Sequence, residues 1–282
     1  MGEMEAAPPK DLAYEAPGTR GLPEVLFLHG FMGSSADWRG VAAAIEDRAF
    51  CLALDLPGHG ASLGLAPEAY TMEGTARAVV RTLDELGARR PVVVGYSMGG
   101  RLALYLALRY PDRCAGLFLE SATPGLEDAR ERQARRQADE EKAKRLWSGD
   151  FETFLKDWYR RPLFAPLARD VGLLQRTIEA RKRNDPRELA RSLRGVGAGS
   201  QPSLWEELEG LAVPTLAVAG ELDGKYAGIS ARMASITPKV EPVVIPGVGH
   251  NAHDEASVEY SALLGRFLDR LSLPPGEAEP AP

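Results

Sequence analysis

Residues 91–109 constrain this chain more than any other stretch. The apolar run PVVV leads straight into Gly95-Tyr96-Ser97-Met98-Gly99, and GRLALYLALR continues with apolar residues at helical spacing. A buried strand, a sharp turn and a helix in immediate succession lift one serine hydroxyl out of the end of a sheet. Glycine on either side of that serine is a physical demand, because the turn is strained and crowded and leaves no room for neighbouring side chains. The bare G-x-S-x-G pattern is common; its place between strand and helix gives it weight. The same turn directs the backbone N–H of Met98, at a helix start, toward the space the hydroxyl faces.

The rest of the chain alternates in the same way. Short apolar runs at residues 24–29, 48–55, 91–96, 115–120, 215–220 and 240–245 predict strands. They are apolar throughout, as strands are when both faces of a parallel sheet are covered. Helices are predicted at residues 36–46, 72–86, 98–109, 225–235 and 256–271. Strands alternating with helices, plus the serine turn, predict an α/β-hydrolase fold: a mostly parallel sheet with helices on both faces. Between residues 123 and 200 the character changes to a charged helical run, ARERQARRQADEEKAKRLW, then the aromatic-rich FETFLKDWYRRPLF, then LLQRTIEARKR. No strand signal interrupts it, so it reads as an inserted helical cap. The expected organisation is a core of residues 11–122 and 201–272, a cap of residues 123–200, and mobile tails at 1–10 and 273–282.

The fold's nucleophile needs a base and an acid in the chain order Ser, Asp, His. Asp223 follows the apolar run TLAVAG, and His250 follows VVIPG. Each therefore falls at the C-terminal end of a strand, where a doubly wound sheet gathers its site. Asp223 would fix the imidazole tautomer, and His250 would take the Ser97 proton. His253 competes as base and Glu221 as acid; both rank lower, since His250 has the glycine before it at the strand end. The string Leu28-His29-Gly30-Phe31-Met32-Gly33 follows the first strand and offers the Phe31 N–H as a second oxyanion donor beside Met98. His29 and His59 read as structural residues of their loops.

Composition excludes some alternatives. A formal net charge of −6 argues against general nucleic-acid binding, which needs a basic face, though it leaves room for a local basic pocket. Two cysteines, Cys51 and Cys114, sit in apolar runs and provide neither a disulfide framework nor metal-ligand spacing, so a reducing cytoplasm is the simpler expectation. The N-terminus lacks the basic and apolar regions of a signal peptide, and no apolar run is long enough for a membrane span.

Finer motifs narrow the chemistry. GYSMGGRLALYLALRYP, LESATPGL, DWYRRPLFAPL, RKRNDP, QPSLW, GELDGKY and PGVGHNAH together resemble the 2-succinyl-6-hydroxy-2,4-cyclohexadiene-1-carboxylate (SHCHC) synthases of menaquinone biosynthesis. The resemblance runs from about residue 25 to residue 271. It implies a lyase without cofactor or metal that removes pyruvate from a small polycarboxylate, its serine made basic by the histidine and aspartate. Residue by residue, it implies substrate-binding roles for Arg101, Arg135 and Arg181, and for Tyr96, Trp158 and Tyr159. Arg132 and Arg136 compete with Arg135, and Arg183 with Arg181. Independently of the resemblance, Arg101 lies four residues after Ser97, one helical turn on, and can face the pocket. One departure stands out: Arg160-Arg161 adds charge beside the aromatics, as a surface feature or as a shift in substrate preference. Rival readings are a carboxylesterase or C–C bond hydrolase using Ser97 as nucleophile, and a non-catalytic ligand-binding relative. A monomer or small homo-oligomer is expected.

Overall fold

Five consecutive strands are buried along their length except at Glu24, which starts the first, and their side chains divide by parity between two cores. Strand β2 (Glu24–Leu28) sends Leu26 and Leu28 to one face and Val25 and Phe27 to the other. Strand β3 (Phe50–Leu54) does the same with Phe50, Leu52 and Leu54 against Cys51 and Ala53. Alternation of Cβ direction explains how a continuously apolar strand serves two layers of helices. The computed structural model describes residues 12–271 together with Leu273 and Gly276. The expected tails lie outside the described residues apart from those two positions.

Strands β4 (Val92–Tyr96), β5 (Gly116–Glu120), β6 (Thr215–Gly220) and β7 (Val240–Ile245) extend the sheet, and β1 (Tyr14–Glu15) caps its far edge. The spatial order is β1-β3-β2-β4-β5-β6-β7, with β1 antiparallel and the other neighbours parallel. The strand order changes direction around β2 and β4, which places the C-terminal end of β4 at the position where such sheets bind ligands. Helices α1 (Arg39–Ala43), α2 (Met72–Glu85) and α3 (Met98–Arg109) belong to the first half of the chain. Residues of α2 and α3 (Leu83, Leu102) fill one core, and residues of α1 (Val41) fill the other.

Between β5 and β6 the chain is helical, with α4 (Ala129–Ser148), α5 (Phe151–Tyr159), α6 (Val171–Arg181) and α7 (Pro186–Val196). Four aspartates, Asp128, Asp150, Asp170 and Asp185, start these helices by accepting from backbone N–H groups of the first turn. This layer has its own core, in which Ala143 and Leu146 of α4 join Leu189 and Leu193 of α7. Helix α4 remains charged outward, where the Arg194–Glu140 pair also links it to α7. The sheet then resumes, flanked by α8 (Gly224–Ile236), α9 (Ala252–Glu255) and α10 (Ser257–Arg270).

Two expectations require correction, and two short elements were missed. The predicted helix at residues 36–46 is a short 3-10 turn, Ser35–Trp38, followed by the five-residue α1. Strand β7 is not covered on both faces: Glu241 and Pro242 are exposed, because it forms the sheet's edge. Strand β1 and helix α9 were not predicted, each being too short to show a periodic pattern.

Candidate active site

Ser97 sits between β4 and α3 with φ 50° and ψ −102°, a conformation that non-glycine residues rarely adopt. The flanking glycines make it feasible. A Cβ on Gly95 would lie 2.5 Å from the Gly99 carbonyl oxygen, and one on Gly99 would lie 2.1 Å from that of Leu28. The turn is held from below by the Ser97 N–H, which donates to the Glu120 carbonyl at 2.8 Å.

His250 and Asp223 reach this serine from loops following β7 and β6. His250 Nε2 is 3.2 Å from Ser97 Oγ, and His250 Nδ1 is 2.6 Å from Asp223 Oδ2. Both His250 and Asp223 are buried. With Nδ1–H donated to the carboxylate, the Nε2 lone pair is left facing the hydroxyl. Ser121 Oγ donates to the same Asp223 oxygen at 3.1 Å. Ser121 follows β5 directly and has φ 48°; it appeared in the sequence only as part of the string LES, with no signal of its own.

The rivals lie elsewhere. Glu221 is exposed and accepts from the Gly247 N–H at 2.9 Å. His253 is buried with Nδ1 2.8 Å from Glu120 Oε2 and its ring against Trp38 and Tyr96. Burial alone would lower its pKa, but Glu120 and Asp254 outweigh that and raise it to about 9. His253 thus carries a charge beneath the site and braces the loop that bears His250. His29 is also a brace: Nδ1 lies 2.7 Å from the Gly30 carbonyl, and Nε2 accepts from the Leu56 N–H at 3.0 Å.

A cavity of about 220 Å³ opens above Ser97, between the strand ends and the inserted helices. Phe31 and Met98 both line it. Met98 is the first residue of α3, so its N–H has no acceptor within the helix. Phe31 belongs to a turn closed by the Gly33 N–H on the Gly30 carbonyl at 2.9 Å. Tyr96 lies in the wall, its hydroxyl donating to Asn251 Oδ1 at 2.8 Å.

Cations gather around this cavity in two different states. Arg181 and Arg135 are in the wall, but each meets a carboxylate: Arg181 Nη1 lies 2.6 Å from Asp37, and Arg135 Nε lies 2.9 Å from Asp139. Burial disfavours the Arg181 charge, yet Asp37 and the Tyr159 hydroxyl more than compensate and hold it well above its ordinary pKa. This pair, with Asn184 Nδ2 on the Met32 carbonyl at 2.8 Å, ties the end of α6 to the first βα loop. Arg101 differs. It is buried, and its Nη1 donates to the Val196 carbonyl at 2.8 Å and to Gln201 Oε1 at 3.0 Å. Among the described residues no carboxylate pairs with it. Burial accordingly pushes its pKa down to about 10.

Arg132 and Arg136 turn to backbone carbonyls, at Leu126 and Gly199, and Arg183 is exposed. Trp158 and Tyr159 contribute to the wall, Trp158 with its ring 5.4 Å from that of Phe31. Tyr226 and Arg161, which the sequence reading did not assign to the site, also line it. The Tyr226 ring lies 4.9 Å from that of His250. Tyrosine within the helical stretch after Asp223 gives no local pattern that would have revealed this.

Comparison with known proteins agrees with this architecture. Residues 23–257 match the family described as alpha/beta hydrolase fold. The 2-succinyl-6-hydroxy-2,4-cyclohexadiene-1-carboxylate synthase of Enterobacter sp. (strain 638) is 34% identical over 254 residues, covering 89% of this chain and 93% of that protein. The chloroplastic protein PHYLLO of Arabidopsis thaliana is 33% identical over 261 residues, or 87% of this chain, which spans 15% of PHYLLO's length. The structure of MenH from S. aureus superposes with a TM-score of 0.87 at 32% identity, covering 91% of this chain and 97% of that one. With near-complete coverage of the Enterobacter synthase in sequence and of the S. aureus protein in structure, the chain belongs to the 2-succinyl-6-hydroxy-2,4-cyclohexadiene-1-carboxylate synthase family of the α/β-hydrolase fold.

Proposed function

We propose that this protein is a carbon–oxygen lyase of menaquinone biosynthesis. It eliminates pyruvate from 2-succinyl-5-enolpyruvyl-6-hydroxy-3-cyclohexene-1-carboxylate (SEPHCHC) to give SHCHC. The observation that carries the reading is Arg101, a buried guanidinium one turn past Ser97 that meets neutral acceptors on the cavity wall. An unpaired buried charge is costly, and an anionic ligand explains its retention. A substrate with three carboxylates supplies that anion; an ordinary ester does not need it.

In this reading Ser97, made basic through His250 and Asp223, removes the proton at ring carbon 2. The electron pair forms the 2,3 double bond, the 3,4 double bond moves to 4,5, and the bond from carbon 5 to the enolpyruvyl oxygen breaks. The proton passes through Ser97 to His250, and the imidazolium, steadied by Asp223, returns it to the departing enolpyruvate. The Phe31 and Met98 N–H groups receive the succinyl carbonyl oxygen as charge builds there. Arg101, Arg135, Arg181, Tyr96, Trp158 and Tyr159 surround the substrate. Residues 123–200 serve as a cap on a core of residues 11–122 and 201–272. No described helix is long and apolar enough to cross a membrane. We place the enzyme in the cytoplasm, where the two buried free thiols, Cys51 and Cys114, stay reduced.

The test is pyruvate release from SEPHCHC, followed with lactate dehydrogenase. Wild type is expected to release pyruvate stoichiometrically, and Ser97→Ala to lose roughly 10³-fold or more. Wild type that leaves SEPHCHC intact but hydrolyses aryl esters through an acyl group on Ser97 would establish the carboxylesterase or C–C hydrolase reading instead.

A further inference from the structure

Arg160 and Arg161 are neighbours in sequence and opposites in the fold. Arg160 follows the end of α5 and faces solvent, its side chain 78% exposed and 3.7 Å from Asp157. Arg161 turns inward to line the cavity that holds Ser97 and Arg101. Its guanidinium carbon lies 4.5 Å from the centre of the Trp158 ring. That ring is itself fixed by Phe31 at 5.4 Å and Phe164 at 6.3 Å. Among the described residues no carboxylate pairs with Arg161.

The arginines of this cavity therefore divide into two sets, beside Lys225, a further wall cation 5.5 Å from the centre of the Tyr226 ring. Arg181 is paired with Asp37, and Arg135 with Asp139, a carboxylate it shares with Lys142. Arg101 and Arg161 are not, and they belong to different parts of the chain. Arg101 rises from α3, below the cavity, and Arg161 leads from α5 in the helical insertion. A guanidinium held over an indole has one side occupied by the ring, and its planar fork of N–H groups can grip a carboxylate with two parallel hydrogen bonds.

We propose that Arg161, with Trp158 as its platform, forms a second carboxylate subsite in the cap, paired across the cavity with Arg101. The ligand class is a small molecule carrying at least two carboxylates, one for each guanidinium. Such a ligand ties cap to core through its own charges. The identity of the physiological ligand rests on the proposed lyase reading; the subsite itself does not.

The experiment measures binding of tricarballylate, a simple tricarboxylate, by titration calorimetry to the full chain, alongside pyruvate release from SEPHCHC. Four proteins are compared: wild type, Arg161→Gln, Arg161→Lys and Arg160→Gln. Arg161→Gln is expected to weaken tricarballylate about tenfold or more, consistent with loss of a charge-assisted pair. Arg161→Lys, which keeps the charge and loses the planar fork, falls between that variant and wild type. Arg160→Gln matches wild type, which separates a local subsite from a general change in charge. The proposal is overturned if Arg161→Gln binds like wild type, if Arg160→Gln is equally damaging, or if wild type shows no binding at millimolar ligand. Wild type that binds tricarballylate with this pattern of variants but releases no pyruvate refutes the lyase reading and leaves the subsite standing.

Discussion

Replacing Arg101 by methionine should uncouple stability from activity. Burial pushes the guanidinium from its ordinary range down to about 10. Its folded-state pKa lies below its unfolded value, so the charge costs stability at every pH below about 10 and the cost fades only as pH rises toward the ordinary arginine range. At about 1.4 kcal/mol per pH decade that penalty is roughly 3 kcal/mol. Against it stand the hydrogen bonds to Val196 and Gln201, at 2.8 and 3.0 Å. Charged donors contribute about 1.5 kcal/mol each at the low end, roughly 3 kcal/mol together. The two effects nearly cancel. Arg101→Met should therefore change folding stability by less than about 2 kcal/mol, a shift within roughly 5 °C in Tm. Activity should not be spared. Losing a desolvated carboxylate contact costs about 2–5 kcal/mol, so kcat/KM for pyruvate release should fall roughly 30- to 5,000-fold. Thermal unfolding and the coupled pyruvate assay measure both on one preparation. If Tm collapses by more than about 10 °C, Arg101 is a structural strut; if kcat/KM stays within about threefold of wild type, the cavity does not use this charge.

Three other outcomes follow from the same geometry. Gly99→Ala places a Cβ 2.1 Å from the Leu28 carbonyl oxygen, backbone against backbone, so α3 must retreat from β2; calorimetry should show about 3 kcal/mol of destabilisation and lost turnover. His253 is raised to about 9 from an ordinary 6.5, so its pairing stabilises the fold fully below pH 6.5 and is lost as pH rises through 9; urea unfolding of wild type should lose roughly 3 kcal/mol from this group across that window, and His253→Gln should flatten the slope. Ser121→Ala removes the hydroxyl 3.1 Å from Asp223 and should lower kcat by roughly three- to tenfold with little change in Tm.

Legibility in the sequence tracked how local the cause was. Strands β2 to β6 could be read because each is covered on both faces, which forces a continuous apolar run. The serine turn could be read because strand, glycine-flanked serine and helix are contiguous and Gly95 meets the Gly99 carbonyl, although the contact that demands Gly99 comes from Leu28, far back in the chain. Strand β7 was read at its observed bounds, but its exposure was not, because edge position rather than composition decides that; the helix reading failed at residues 36–46, where apolar residues at helical spacing fill a 3-10 turn and one short helix.

The order Ser97, Asp223, His250 and the positions of these residues at strand ends were fixed by sequence, since strand, turn and chain order are local properties. Which arginines hold free charge was decided by folding. Arg101, Arg135, Arg161 and Arg181 are alike in sequence and all line the cavity, but Asp139 and Asp37 pair with two of them and leave the others without a carboxylate among the described residues. Asp37 comes from the first βα loop and Arg181 from the helical insertion, far apart along the chain. Electrostatic pairing acts through distance in space, which only the packed structure sets.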